Sequence, residues 1–144
     1  MKVSTKGRYA LRMLLDLARH QQDGYIALKD IALRQQISKK YLEQIVIALN
    51  QKHLLLSSRG FQGGYRLARE PKDITVLEVL EATEDTVAPV ACLKTEPNTC
   101  PRRFSCDTLA LWEGLYGAIQ TYLASQSLQD LLDHDPGAPV TYEI

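Results

Sequence analysis

The residues in this chain whose types and spacing could do chemistry fall in two places: three cysteines in the second half, and the run Ser38-Lys39-Lys40-Tyr41-Leu42-Glu43-Gln44. Cys92, Cys100 and Cys106 are separated by seven and five residues and lie in or beside a segment broken by Pro89, Pro97 and Pro101. A free structural cysteine normally hides in a core, so three of them grouped in a proline-broken loop argue for ligation. Zinc sites pair cysteines two to four residues apart; no such pair occurs, which makes zinc the second choice. Thiolates at wider spacing on a loop suit an iron-sulfur cluster, which takes four ligands, usually but not always all cysteine. Three thiols are present, so the fourth ligand and the cluster type stay open, a 2Fe–2S form being one that fits. Three unligated thiols are the plain alternative.

The charged run has a different chemistry. At the start of a helix laid in a major groove, Gln44 could pair with adenine and Glu43 could accept from cytosine N4, while Lys39, Lys40 and Tyr41 hold phosphates beside Ser38. The bland reading makes Tyr41 a packed aromatic and the lysines a solvated turn. Adjacent positive charges at a helix N-terminus oppose the helix dipole, however, and cost stability unless an anion is near.

These residues need elements to position them. Tyr9, Ala10, Met13, Leu14, Leu17 and Ala18 recur at helical spacing, with Arg8, Arg12, Asp16 and Arg19 assigned to the opposite, polar side, so a first helix is expected over about 6–20. A short second helix fits 29–35, with Ile31 and Ala32 inward. Ser38 then caps a third helix whose Leu42, Ile45, Val46 and Leu49 repeat at intervals of three and four. Two short helices joined by about three residues form the helix-turn-helix pattern. Residues 54–58 and 65–69 read as strands around Arg59-Gly60-Phe61-Gln62-Gly63-Gly64, a hairpin whose glycines permit positive backbone torsions. A basic hairpin in this place is a wing: Arg59 and Arg66 would flank a tip able to enter the minor groove, with Lys6 and Arg8 available for backbone contacts. The glycine spacing matches neither phosphate-loop fingerprint.

Thr75 and Glu78 form a capping box for a fourth helix ending near 82 or 83. Beyond the cysteine loop, Leu109, Trp112, Tyr116, Ile119 and Leu123 follow a heptad seam on a helix expected over about 107–124, and Ser127 with Asp130 starts a last short helix over 128–133. A chain this small leaves few other helices to cover the seam, so it is expected to face a second copy, a core helix being the alternative. The organisation is a winged helix-turn-helix over 1–84, a cysteine-bearing sensory loop over 85–105, a dimerisation helix and short helix over 106–133, and a tail over 134–144: mostly α with a small β-hairpin.

Charge divides the same way. Residues 1–72 hold 14 Lys/Arg against 5 Asp/Glu, and residues 73–144 hold 3 against 12, so a net charge of zero conceals halves of +9 and −9. A basic half attracts polyanions and releases their counterions on contact. The apolar positions near the start are interrupted by charges, so no signal-peptide core is read and no apolar run approaches a membrane span. A cytoplasmic protein with reduced thiols is expected, and structural disulfides are not. His20, His53 and His134 each follow or end an expected helix, where a dipole-stabilised surface role outweighs metal binding. No cysteine–histidine signature supports catalysis.

The words Ser4-Thr5-Lys6-Gly7-Arg8-Tyr9-Ala10, Ser38-Lys39-Lys40-Tyr41-Leu42-Glu43-Gln44 and Arg59-Gly60-Phe61-Gln62-Gly63-Gly64-Tyr65-Arg66-Leu67, with the three-cysteine loop, resemble the Rrf2 family of bacterial winged-helix transcription regulators from Met1 to about Leu132. The resemblance implies a homodimer joined through the long helix, a two-fold related site on double-stranded DNA, and activity set by a cluster or a regulatory protein partner. It puts the recognition role on Ser38, Tyr41, Glu43 and Gln44, the wing role on Arg59 and the glycines after it, and the ligand role on Cys92, Cys100 and Cys106. Two departures follow. The cluster-regulator branch uses a histidine three positions beyond the last cysteine, here Leu109; the nitric-oxide branch uses an aspartate near the N-terminus, here Arg8. The fourth ligand therefore falls to Asp107, Glu96, Asp85, a histidine or a small molecule, or the cluster is labile or absent. The expected protein is a DNA-binding regulator, a repressor, and not an enzyme. Its rivals are the same fold without a cluster, controlled by thiol oxidation or a partner, and an iron-sulfur or metal carrier that docks with assembly enzymes.

Overall fold

The computed structural model describes residues 2–134; of the tail read from the sequence over 134–144, all but His134 lies outside the described residues. The elements run α1 (Thr5–Arg19), α2 (Leu28–Gln35), α3 (Lys39–Gln51), β1 (Leu55–Ser58), β2 (Gly64–Leu67), α4 (Val76–Thr83), α5 (Leu109–Ser125) and α6 (Leu128–Asp133). Helix α1 begins where the Ser4 hydroxyl accepts from the Gly7 N–H, 3.0 Å, while the Ser4 N–H and hydroxyl both donate to the Glu84 carboxylate, 3.0 and 2.7 Å. One cap thus also ties α1 to the end of α4. A Cβ on Gly7 would run into the Glu84 carboxylate and displace it from this cap.

The periodic side chains of α1 to α3 meet in one core: Met13, Leu14, Ile31, Leu42, Ile45 and Leu49 have no exposed surface. Asp16 departs from the polar side to which its charge assigned it. It is 2% exposed, accepting from Arg34 Nε and Nη2 at 3.0 and 2.7 Å and from Gln35 Nε2 at 2.9 Å, so the carboxylate is buried because α2 supplies its donors. Burial alone would raise its pKa; the hydrogen bonds from Arg34 and Gln35 and the guanidinium charge outweigh it and hold the carboxyl below the usual range.

The hairpin is antiparallel, with Leu55 opposite Leu67 and Ser58 opposite Gly64. Ile26 extends it, exchanging two 2.8 Å backbone hydrogen bonds with Tyr65. The glycines act for different reasons. Gly60 has φ +106°, the left-handed freedom expected of a turn glycine. Gly63 and Gly64 do not need it; a Cβ on Gly63 would strike the Ser58 carbonyl oxygen, and one on Gly64 the Ile26 carbonyl oxygen. They are sites of close backbone approach.

Helix α4 starts at the Thr75–Glu78 capping box. After α5 the chain returns to it, with Val76 N–H donating to Gln126 O at 2.8 Å and Leu128 N–H to Ile74 O at 2.9 Å, and Leu128 is fully buried in the core beside α1. This return decides how α5 lies. Tyr116 and Leu123, two members of the heptad seam, pack against Val76, Leu80 and Val87 of the chain's own fold, and all five seam side chains are half-buried. The most exposed apolar stripe is another one: Leu111 at 62%, Leu115 at 42% and Tyr122 at 64%, with Ala118 completing intervals of four, three and four. Among the described residues no helix is long and apolar enough to cross a membrane.

Candidate nucleic-acid interface and cysteine loop

Helix α3 is aimed by the three residues before it. Gln36 takes a left-handed conformation, φ 55° and ψ 44°, Ile37 buries its side chain, and the Ser38 hydroxyl caps the helix by accepting from the Tyr41 N–H at 3.1 Å. Arg12 of α1 secures the same corner, its guanidinium donating to the Gln35 carbonyl and side-chain oxygens. The buried face of α3 then fixes its outer face, which carries Lys39, Lys40, Glu43 and Gln44 exposed in a row, with Ser38 exposed at the head and Tyr41 half-buried. Among the described residues neither lysine makes an ion pair, so the unfavourable dipole contact read from the sequence has no internal compensation.

Tyr41 is both aromatic packer and rim. Its ring meets Tyr9 edge-on at 5.8 Å between centroids, and Arg12 stacks on Tyr9 at 5.0 Å. The cleft between the heads of α1 and α3 is lined by Thr5, Tyr9, Gln36, Ser38 and Tyr41. Hydroxyls and helix N-terminal amides arranged around a cleft are what an oxyanion requires. Tyr9 reads as core by spacing, Arg12 as a surface charge, and the stacking of one on the other depends on packing. Lys6 is half-buried and Arg8 exposed on the first turns of α1, where Arg8 donates to Thr5 Oγ1 at 3.1 Å.

The wing projects from the same domain. Arg59 is exposed where β1 runs into the tip, the backbone turns at Gly60, Gly63 N–H donates to Gly60 O at 3.0 Å, and Arg66 stacks on Tyr25 at 5.7 Å to the centroid. Of Ser38, Lys39, Lys40, Tyr41, Glu43 and Gln44, the wing residues Arg59, Gly60, Gly63 and Gly64, and Lys6 and Arg8, all but the half-buried Lys6, Tyr41, Gly63 and Gly64 are solvent-exposed.

The cysteine loop differs. Cys92 sits in the short helical turn Ala91–Leu93, Cys100 follows Asn98, whose side chain accepts from the Cys100 N–H at 2.8 Å, and Cys106 lies just ahead of α5. All three thiols are free and half-buried. Among the described residues no three His, Cys, Asp or Glu side chains are gathered as a metal site. The donor types fit an iron-sulfur cluster, while their assembly would require the loop to close around it. Leu109, the first residue of α5, offers no donor; Asp107 beside Cys106 is exposed. Hydrogen bonding with the Thr108 hydroxyl (3.4 Å) and backbone, helped by the Leu109 N–H and the Arg102 charge, holds the Cys106 thiol below its usual range.

Comparison with known proteins bears on this arrangement. The family described as "Rrf2: Iron-dependent Transcriptional regulator" matches residues 3–134. Protein rrf2 of Nitratidesulfovibrio vulgaris is 41% identical over 132 residues, covering 92% of this chain and 87% of the relative. The HTH-type transcriptional regulator IscR of Photorhabdus laumondii is 40% identical over 134 residues, covering 93% and 80%. The solved structure of CymR, the global cysteine regulator of Bacillus subtilis, superposes with a TM-score of 0.73 at 34% identity, covering 92% of this chain and 97% of that one.

Proposed function

The chain belongs to the Rrf2 family and is a DNA-binding transcriptional regulator with a winged-helix fold, not an enzyme; from that premise we propose that it acts in the cytoplasm as a homodimeric repressor reading a two-fold related operator, with its DNA affinity set by an iron-sulfur cluster on the cysteine loop. The observation that carries the DNA part is the outer face of α3, where Lys39, Lys40, Glu43 and Gln44 are exposed beside the basic wing and, among the described residues, make no ion pair. Glu43 and Gln44 read base edges, the lysines and the Thr5, Tyr9 and Ser38 cleft hold phosphates, and Arg59 enters the minor groove. Selection from a random duplex library is expected to return two related half-sites about one helical turn, or a multiple, apart. Arg59→Ala should weaken all sequences and lower the magnitude of the salt slope by about one, whereas Glu43→Ala should relax preference at particular bases. Uniform loss across sequences for Glu43→Ala would remove its base-reading role.

Cys92, Cys100 and Cys106 would hold the cluster, with Asp107 or an exogenous molecule as the remaining ligand. A bound cluster supplies a redox- and oxygen-sensitive link between the loop and α5. This chain's own residues set the consequence: Cys106 borders α5, and α5 rests on α4 through Tyr116 and Leu123, so loop closure bears on how two heads are spaced. Anaerobic reconstitution should give iron and sulfide uptake with a visible spectrum, lost on replacing any one cysteine with alanine. A second reading has an observation of its own. The thiols are separate and half-exposed, which suits thiol oxidation in a cluster-free regulator. Protein that takes up neither iron nor sulfide, yet loses DNA affinity reversibly with peroxide and dithiothreitol, would select that reading.

A further inference from the structure

We propose that Phe61 is an intercalating wedge: carried into the minor groove by the wing, its ring unstacks one base step and kinks the bound duplex. The proposal rests on the DNA-binding reading of the wing and adds an apolar, shape-reading element to it. Phe61 is 103% exposed, more than any other large apolar side chain among the described residues. A lone exposed apolar residue ordinarily needs no explanation. This one stands at the narrow tip of a hairpin, two residues from the exposed Arg59, and the hairpin beneath it is held by backbone hydrogen bonds. The tip is closed by the Gly63 N–H to Gly60 O bond, and the base is pinned by the two 2.8 Å bonds between Tyr65 and Ile26. The absent side chains of Gly63 and Gly64 let backbone segments meet there.

A rigid tip with a guanidinium near an aromatic ring has the two complements a minor groove offers. The cation faces phosphates that line its walls, and the ring faces a base step at its floor. Apolar side chains inserted in this way kink duplexes by roughly 20–90°. The cost falls least at flexible pyrimidine–purine steps, so Phe61 would favour such a step under each wing without a hydrogen bond to any base. The other exposed large apolar side chains of this domain, Leu33, Ile47 and Leu56, lie along α2, α3 and β1 and not at a tip.

The test uses the full chain and the duplexes it selects, labelled at both ends for energy transfer and carrying 2-aminopurine at the step under the wing. Wild-type binding is expected to shorten the end-to-end distance and raise 2-aminopurine fluorescence. Phe61→Ala should abolish both signals and lower affinity roughly ten-fold, the worth of about one base–aromatic stack, with an unchanged salt slope. Phe61→Leu, which keeps an apolar wedge, should retain most of the bend. Bend and fluorescence that persist in Phe61→Ala would overturn the proposal, as would an affinity loss accompanied by a shallower salt slope, which would make the tip a positioner of phosphate contacts. Wild-type protein that binds no duplex would overturn the DNA reading of the wing itself, and the wedge with it.

Discussion

Asp16→Ala is expected to destabilise the fold by ~2–4 kcal/mol, toward the lower side of what breaking a buried ion pair costs, because Arg34 keeps 37% of its side chain exposed and can recover water. The substitution strands the Gln35 amide, removes a bidentate guanidinium contact and opens a small void beneath α1. Asp16→Asn should be nearly as costly, since its amide would turn a donor toward donors. The pH dependence has a definite sign. The folded carboxyl titrates below its unfolded value, so its contribution is full above the ordinary carboxylate range and is lost as pH falls through the lower folded pKa. Urea unfolding should therefore show a wide gap between wild type and Asp16→Asn at neutral pH, narrowing only in strong acid. Equal midpoints at pH 7 would mean that the pair contributes nothing. A second effect follows from position: Arg34 and Gln35 end α2 immediately before the left-handed Gln36 that aims α3, so operator affinity should fall even where the variant is fully folded.

Helices α1 to α4 were legible because their determinants are local. Apolar spacing near 3.6 and the caps at Ser38, Thr75 and Ser127 lie within a few residues of what they specify, and each forms as expected. What depended on distant partners was not legible. Asp16 carries a charge, and periodicity assigns charges outward; its donors lie 18 and 19 residues away on another helix. Tyr9 and Arg12 have the spacing of a core position and a surface position, and only the docking of α1 against α3 brings Tyr9, with Arg12 stacked on it, to the wall of a cleft. The fate of α5 turned on the same limit. The helix is apolar on more than one side, and the backbone return at Ile74, Val76 and Leu128 sets two heptad residues, Tyr116 and Leu123, against the chain's own cluster while the stripe through Leu115 stays more exposed, a selection that spacing alone does not make. The exposure of the α3 outer face was legible because it follows from the opposite face being buried. The cysteine loop has no such periodic constraint.

That selection makes Leu115 the residue through which to test the dimer. Leu111, Leu115, Ala118 and Tyr122 form an exposed stripe on a 17-residue helix, about 26 Å long, flanked by Gly114 and Gly117, around whose Cβ positions there is open space. Small residues beside large exposed ones let a second helix come close, and the partner in a two-fold interface is the same stripe on another copy. Each buried apolar side chain would contribute on the order of 1.5–3 kcal/mol, and any change on the axis is made twice. Leu115→Glu would put two carboxylates in one apolar seam, so dimer affinity should fall about 1000-fold or more, which corresponds to ~4 kcal/mol. Because Leu115 is 42% exposed in the single chain, the variant should remain folded, with a circular dichroism spectrum like that of wild type. Leu123→Glu provides the contrast: that side chain packs against the chain's own Val76, Leu80 and Val87 cluster, so it should lower thermal stability as well. Light scattering that finds Leu115→Glu still dimeric at the wild-type concentration would move the interface to another face of α5 or off it altogether. The DNA consequence is separable from folding. A monomer presents one α3 and one wing, so the second half-site is no longer held at high effective concentration, and binding to the two-fold operator should drop to the affinity of a single half-site.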